Sequence, residues 1–571
     1  MGLKLATLTP KSHKGLRDSW GEASSPDLPL SPASAPPASF QRPELAEDAV
    51  TALTWNISAV NNNPFEYWLS YDDPKYESLM MGVECFLDDP GDDDVAVGEV
   101  FTEAMFQELL KYMAEEKMES LDEVDALWRG GDMGLSKRRI VSEVIKDRSL
   151  GAKRLISMPD RVTNTINVVT RKESNYNPPA ACRPSVMNNF EGDLSTMDVW
   201  WEQWKKFMFQ DKLTIKIRDG ISIVRPVEML ERIKRSKYPA VTEQEERLSI
   251  PLQIVCQAVF DSIIVHLMNK LSPDDEWQVV KSTICDRLFR SKHRRIVQIL
   301  AERYGGVEVM CLQEVAAVFA DHYKTSSLAS THLLVSPIRL DTSRDQNSFL
   351  LLSKQTFVPE SVEDVTSSIA NVMERGSALS DGDLLAVQVR RRKDEKPWLI
   401  VSFHGDTSGL LTLPLIDAVH RAAKEHFPSH TVVVGLDANV YEREREGVQG
   451  FESCLQHFSE LGLVTCWGEK PEAKACRTTC SARTSLQPQL NKAVRFAERV
   501  AKSSRDPKDF VVFYQGQLRL VAPSEMGVGK QPNPMRDNTG QLEFRDSMNF
   551  PTLDFPSDHG LVAMALTPVA R

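Results

Sequence analysis

Carboxylates, amides and imidazoles recur in this chain where apolar, strand-like runs begin or end. Asn56 follows "LTW", Glu314 follows "VMCLQ", His404 follows "IVSF", and Asp437 and Asn439 follow "VVVGL". Asp509 precedes "FVVF", and the pair Asp558-His559 precedes "GLVAMAL". Strand ends and the loops beyond them are where a sheet displays functional groups. A lone Glu or Asn there is more often a cap or turn residue, but the whole set, each member flanked by an apolar run, points to a shared role. The residue types fit one chemistry. Glu and Asp carboxylates with an Asn amide make a hard-oxygen site suited to Mg²⁺ or Mn²⁺. Two imidazoles supply proton transfer and charge-assisted hydrogen bonds near neutral pH, and a spare aspartate can orient one of them. Together these describe attack of water on phosphorus, where the cost is negative charge growing on the equatorial oxygens. Too few His or Cys stand at ligand spacing for a zinc hydrolase, and no GxxxxGK[ST] loop is present.

The elements that must position these residues fall into two zones. From about 71 to 289 the helical period dominates: Phe101, Met105, Leu109 and Met113 form one stripe, and Trp200, Trp204 and Phe207 another, each read as a core face. "SLDEVDALWRGG" carries a capping-box pattern at Ser120 and Glu123 and closes on Gly130 and Gly131. Past 290 the pattern is β-rich: the strands "VEVMCLQEV" and "NSFLLLS", a hairpin over "DLLAVQVRRRKDEKPWLIVSFHG", then "TVVVGLDAN", "KDFVVFY" and "HGLVAMALTP". Helices are expected at "RRIVQILAERYGG", "LPLIDAVHRAAKEHF" and "LNKAVRFAERVAK". Strands alternating with helices, plus hairpins, predict a mixed α/β sandwich with helices outside. Residues 1–47, rich in Pro, Ser and Ala, read as a disordered leader, and order begins near "AVTALTWNISAV".

At 571 residues the chain exceeds one compact core. Its formal charge of −12 argues against a general DNA-coating protein but not against a local basic cleft. Nine scattered cysteines without a framework suit a reducing compartment, so an intracellular, cytoplasmic or nuclear location is expected. Lys4, Lys11, Lys14 and Arg17, ahead of the first acid at Asp18, also fit an organelle transit peptide. Cys476 and Cys480 lack CxxC spacing and read as ordinary thiols. The run 250–268 carries two Gln, an Asp and a His and reads as a buried helix rather than a membrane span. "RSKHRR" (290–295) reads as a solvated helix start, and "DDPGDDD" as a solvated turn without calcium-loop spacing.

The stretches "TWN", "LQEV", "SFHGDTSG", "GLDAN", "KDFVVF" and "SDH", in that order, resemble the endonuclease/exonuclease/phosphatase (DNase I-like) superfamily. The resemblance covers 48–70 and 290–571 and implies an α/β fold, a four-layer α/β/β/α sandwich with its site at one edge. Carried over, Glu314 would be the main metal ligand, with Asn56 beside it on metal or phosphate and Asp558 near enough to ligate directly or through water. Asp437, helped by Asn439, would orient or deprotonate the attacking water, and His404 would stabilise the phosphoryl oxygens. His559 would be the second histidine, hydrogen-bonded to Asp509. Whether His559 or Asp437 is the base stays open on the sequence. Arg483 and Lys492, in the loop before the final strands, could bind further phosphates.

Two departures stand out. Asn56 and Glu314 are separated by the helical zone, which reads as an insertion over 71–289 after the first strand, able to cover the cleft or hold a partner protein. The arginine that tyrosyl-DNA phosphodiesterases carry after the aspartate of "KDFVVF" is Phe510 here. The resemblance thus implies a Mg²⁺- or Mn²⁺-dependent phosphodiesterase or nuclease acting on nucleic acid or a nucleotide conjugate. The alternatives are a lipid or inositol-phosphate phosphatase of the same fold, whose W-C-D-R signature is missing, and a catalytically silent binding protein.

Overall fold

The computed structural model describes residues 38–43, 48–58, 62–131, 134–164, 182–217, 220–272, 274–341, 344–373, 379–488, 490–526 and 531–569. Residues 1–37 of the leader, with its basic residues, lie outside them. Part of the stretch expected to be disordered is placed: Phe40 is buried, its amide donates to Arg303 O at 2.7 Å, and its ring lies 6.3 Å from that of Tyr304.

In chain order the strands are β1 (Val50–Asn56), β2 (Leu213–Ile217), β3 (Gly220–Val224), β4 (Val309–Val315), β5 (His332–Val335), β6 (Asn347–Ser353), β7 (Glu363–Asp364) and β8 (Leu384–Arg390). There follow β9 (Pro397–His404), β10 (Thr431–Asp437), β11 (Leu463–Thr465), β12 (Asp509–Tyr514), β13 (Leu518–Leu520), β14 (Met535–Asp537) and β15 (Leu561–Pro568). Among the described residues they form a seven-stranded sheet, ordered β13-β15-β1-β4-β6-β5 with β14 also on β15, a six-stranded sheet, ordered β11-β12-β10-β9-β8-β7, and the lone hairpin β2-β3. The strands β1, β4 and β10 are buried along almost their whole length, as strands covered on both faces must be.

An apolar cluster of Ala52, Val309, Leu350, Val387, Ile400, Val433 and Val511 joins residues of the two large sheets. The sheets approach closely at Gly435 of β10, where an added Cβ would lie 2.4 Å from Cys311 Cβ on β4. Beside it, Gln313 stitches the sheets, donating to Ser402 Oγ at 3.2 Å and accepting from Thr54 Oγ1 at 3.2 Å. The opposite sides are covered by helices. Ile296, Ile299 and Leu300 of the helix Lys292–Arg303 pack with Leu53, Trp55 and Leu312, while Leu415, Ile416 and Val419 of Thr412–Glu425 pack with Leu399, Val401 and Val434.

The elements between β1 and β4 are mainly helical, with their own core containing Phe101, Met105, Leu109, Met113, Trp200 and Trp204. Phe207 is buried in a small satellite cluster with Leu213. Ser249–Leu271 is long and apolar enough to cross a membrane by length and composition, yet it is mostly buried within this core. Its Asp261 explains how: the carboxylate pairs with the buried Arg183 at 2.8 Å and accepts from Trp204 Nε1 at 3.0 Å and Ser185 Oγ at 2.8 Å. A buried charge met on every side in this way is tolerated where an unpaired one is not.

Three expectations are corrected. Ser120 makes no capping box; it adopts φ 59°, and Arg247 takes both Ser120 Oγ (3.2 Å) and Glu123 (2.5 Å). "RSKHRR" is not simply solvated: Lys292 and His293 are buried against the sheet, and the Lys292 ammonium donates to Ser58 O. "LNKAVRFAERVAK" forms no α-helix but an extended strap with two 3₁₀ turns at Leu490–Lys492 and Phe496–Glu498. Besides the bonds within its turns, the strap's backbone hydrogen-bonds outward: Val494 N to Arg483 O at 2.8 Å, Trp68 Nε1 to Val494 O at 2.6 Å, and Phe496 N to Glu84 at 2.8 Å. Leu490, Val494 and Phe496 pack onto the helical core.

Candidate active site

Register alone places most of the strand-end polar residues together. In the six-stranded sheet Asp437 is paired with His404 on the parallel β9 and with Asp509 on the antiparallel β12, so the three stand in one row. In the other sheet Asn56 pairs with Gln313, the residue before Glu314. The cross-sheet cluster brings the two rows face to face at one end.

Glu314 enters the site by a local distortion. The β4–β6 register slips between Leu312 and Val315, and Glu314 takes φ 51°, a left-handed conformation uncommon for a residue with a Cβ. Asn439, just past β10, shares this conformation at φ 49°. Backbone strain of this kind costs of order 1–3 kcal/mol per residue and persists where the surroundings over-determine it, often at working sites. At Glu314 the effect is to turn the carboxylate out of the pleat towards Asp437.

The polar contacts then close. Asn56 Nδ2 donates to Glu314 Oε1 at 3.0 Å and to Asp437 Oδ2 at 2.8 Å, while its Oδ1 accepts from Ser58 N at 2.7 Å. Gln346 Nε2 donates to Glu314 Oε2 at 3.2 Å, and His404 Nε2 lies 3.3 Å from Glu314 Oε1. Asp437 Oδ1 accepts the Asn439 amide at 2.9 Å. On the other side His559 Nδ1 meets Asp509 Oδ2 at 3.0 Å, and Asp509 also accepts from Thr478 Oγ1 at 2.5 Å. His559 Nε2 is left pointing towards Asp437 Oδ2, 3.7 Å away.

The electrostatics separate the roles. Burial works against charge on the imidazole of His559, but Asp509 and Asp437 outweigh it and raise its pKa to about 10. Burial pushes the Asp437 carboxyl up; His559, His404 and Lys508 overcome that and hold it below the usual range. Asp509, buried and facing Asp437 as well as His559, is raised. At neutral pH the row therefore holds a charged imidazolium beside an ionised Asp437.

Glu314, His404 and Asp437 place ligand atoms within 4.8 Å of one another, and so do Asp437, Asp509 and His559. The second trio is consumed by its own His–Asp bond. The first offers two carboxylates on one side of a cleft and fits a hard divalent cation. Two further expected ligands stand close by. The Asn56 oxygen accepts the Ser58 amide, and its side-chain N–H groups face the carboxylates of Glu314 and Asp437. Asp558 lines the cleft, and its charge acts on Tyr67, Lys292, Arg483 and Lys508.

The cleft, about 560 Å³, is walled by Tyr67, Arg483, Lys492, Lys502 and Lys508. Arg483 pairs with Glu66 and stacks over Tyr67, its guanidinium 5.2 Å from the ring centroid. Lys492 is exposed along the same wall. Lys508 was not singled out from the sequence, although it precedes Asp509 in "KDFVVF": its Nζ donates to Asn439 Oδ1 at 2.7 Å, and Asp437 supports its charge against burial. Tyr67 and Gln346 were missed too, since neither stands at the end of an apolar run.

Residues 94–282 match a family described as a domain of unknown function (DUF8234). No curated protein matches the chain. Among solved structures, D. rerio TDP2 complexed with single-strand DNA product is 13% identical, covers 48% of this chain and 91% of its own, and has a TM-score of 0.27. The human Nocturnin catalytic domain with bound sulfate is 15% identical over 49% and 87%, with a TM-score of 0.30. An endonuclease/exonuclease/phosphatase family protein from Bacteroides thetaiotaomicron is 13% identical over 48% and 88%, with a TM-score of 0.29. Each of the three aligns with about half of this chain.

Proposed function

We propose that the protein is a divalent-metal-dependent phosphoesterase, a phosphodiesterase or nuclease that hydrolyses nucleic acid or a nucleotide conjugate. One observation carries the reading: the carboxylates of Glu314 and Asp437, tied by Asn56, face His404 and an imidazolium held by Asp509, all at one end of two packed sheets. We read that arrangement as a four-layer α/β/β/α sandwich, with residues 71–289 as an insertion after its first strand.

Bound at Glu314, Mg²⁺ or Mn²⁺ would supply positive charge to a phosphoryl oxygen. The chain's own residues do the rest. Asp437 is ionised and accepts from Asn56 and Asn439, which leaves a lone pair to accept a hydrogen bond from the attacking water and aim it. His559 is charged at neutral pH and so donates through Nε2 to an equatorial oxygen; this assigns the water to Asp437 rather than to His559. His404, on the strand neighbouring that of Asp437, donates to the same phosphoryl group, and Lys508 adds charge beside Asn439. Arg483 and Lys492 receive neighbouring phosphates of the substrate.

The test is hydrolysis of single-stranded DNA, abasic duplex, RNA, a 5′-tyrosyl oligonucleotide, an inositol polyphosphate and a generic phosphodiester, with Mg²⁺, with Mn²⁺ and with chelator. Metal-dependent cleavage that falls by orders of magnitude in Glu314→Gln, with calorimetric metal binding lost alongside, supports the reading. Unchanged turnover in that variant would sink the assignment of Glu314. A chain that binds nucleic acid equally well in both forms and cleaves nothing would instead be a binding protein.

A further inference from the structure

The cleft does not end at Lys492. A second groove of about 860 Å³ begins there, between the strap and the short helix Arg148–Lys153 of the helical region, and Val494 lines both. The acids of this groove are occupied: Asp88 pairs with Arg495 at 2.8 Å, Asp147 with Arg138 at 2.9 Å, and Glu84 accepts the Phe496 amide. Three cations are not. Lys492 at the junction, and Arg148 and Arg154 on the helical wall, make no ion pair among the described residues. Arg154 Nε is buried without a hydrogen-bond partner, while its guanidinium lies 5.9 Å from the Tyr238 ring centroid.

These cations share one electrostatic neighbourhood. After burial, the charges of Arg483 and Arg154 hold the Lys492 ammonium below its usual range. Arg483 has Glu66, but Lys492, Arg148 and Arg154 lack such a partner among the described residues, and a bound anion would recover the free energy of bringing their charges together. Between the cations the wall is apolar, with Leu150, Ile156, Phe260 and Leu490. A run of cations above an apolar floor is how proteins hold single strands, with phosphates on the charges and bases against the floor. Protein on both sides of the groove suits one strand rather than a duplex.

We propose that this groove binds the backbone of a single-stranded polynucleotide continuing from the catalytic cleft, with phosphates beyond the scissile one on Lys492, Arg154 and Arg148. The inference rests on the phosphoesterase reading for what occupies the cleft, and it gives the helical region a task in substrate selection.

The test is fluorescence anisotropy of the full-length protein, with chelator present, against labelled oligothymidylates of about three and about twenty nucleotides, lengths that bracket a typical single-strand site. The long strand should bind at least about tenfold tighter, and Arg148→Ala/Arg154→Ala should remove about that factor while leaving the short strand unchanged. Loss of two phosphate contacts should also flatten the log–log salt slope by about 1.4. Arg148→Lys/Arg154→Lys, which keeps the charges, should restore binding, and both double variants should hydrolyse bis(p-nitrophenyl) phosphate as the parent does. Equal binding of both lengths, an unaffected alanine variant, or equal competition by a polyglutamate of similar length would overturn the proposal. Length-dependent binding that the alanine variant loses, in a protein inactive on every phosphodiester, would remove the catalytic reading and leave the groove standing.

Discussion

His559 joins two aspartates: its Nδ1 lies 3.0 Å from Asp509 Oδ2, and its Nε2 3.7 Å from Asp437 Oδ2. Asp509 is fully buried, and the nearly buried His559 lines the cleft.

The charge on His559 is the first consequence to measure. By NMR its ring should titrate near pH 10 in the parent and well below that in Asp509→Asn, which removes the largest favourable charge. The folded pKa is raised above the unfolded value of 6.5, so the stability it contributes is fully present below about pH 6.5. It is lost as pH rises through about 10. Chelated protein should therefore lose denaturant stability over that window, and His559→Ala should lose less. A ring titrating near 6.5 in the parent would refute the imidazolium.

Catalysis should divide along the same line. His559→Ala removes a donor to the phosphoryl group and should cut kcat by about 10²–10³. Asp509→Asn, which acts only by positioning and charging the ring, should cost less and shift the alkaline limb of the kcat profile to lower pH. If Asp509→Asn proved the more damaging, that division of labour would be wrong.

Lys508→Met should lower kcat/KM by about tenfold or more, since it removes a charge beside Asn439 and Asp437 while keeping the stem. Steady-state kinetics on a small phosphodiester would decide it; unchanged values would make Lys508 structural.

Gly435→Ala should destabilise the fold by about 1–3 kcal/mol, because the new methyl would meet Cys311 across the sheets. A second change, Cys311→Ala, should recover part of the loss. Additive effects in that double-mutant cycle would contradict the close approach.

Asp261→Ala should cost about 3 kcal/mol, since it takes one of two carboxylates from the buried Arg183, leaving Asp160, and removes the acceptor of Trp204 Nε1 and Ser185 Oγ. Denaturant unfolding measures this, and a loss under about 1 kcal/mol would mean that Asp160 alone suffices for the arginine.

The sequence by itself determined the functional residue types and their places at strand ends. A β-strand is written locally: apolar, β-branched runs such as "VVVGL" and "GLVAMAL" stop where a polar residue stands, and nothing distant is needed to see it. Tertiary structure decided the rest. That Asp437 has His404 on one side and Asp509 on the other is a matter of strand order, which no local pattern encodes. The bulge that turns Glu314 inward arises from pairing β4 with β6. The strap looked helical because "LNKAVRFAERVAK" has a helical period, but its backbone found partners in Arg483, Trp68 and Glu84, and those bonds with the packing of Val494 and Phe496 outweighed propensity. Lys292 looked solvated because a run of basic residues usually is; its helix happened to dock that face on the sheet beside the cleft. Local free energies choose the elements, whereas pairings between distant segments choose which side chains meet, and the site is made of the second kind.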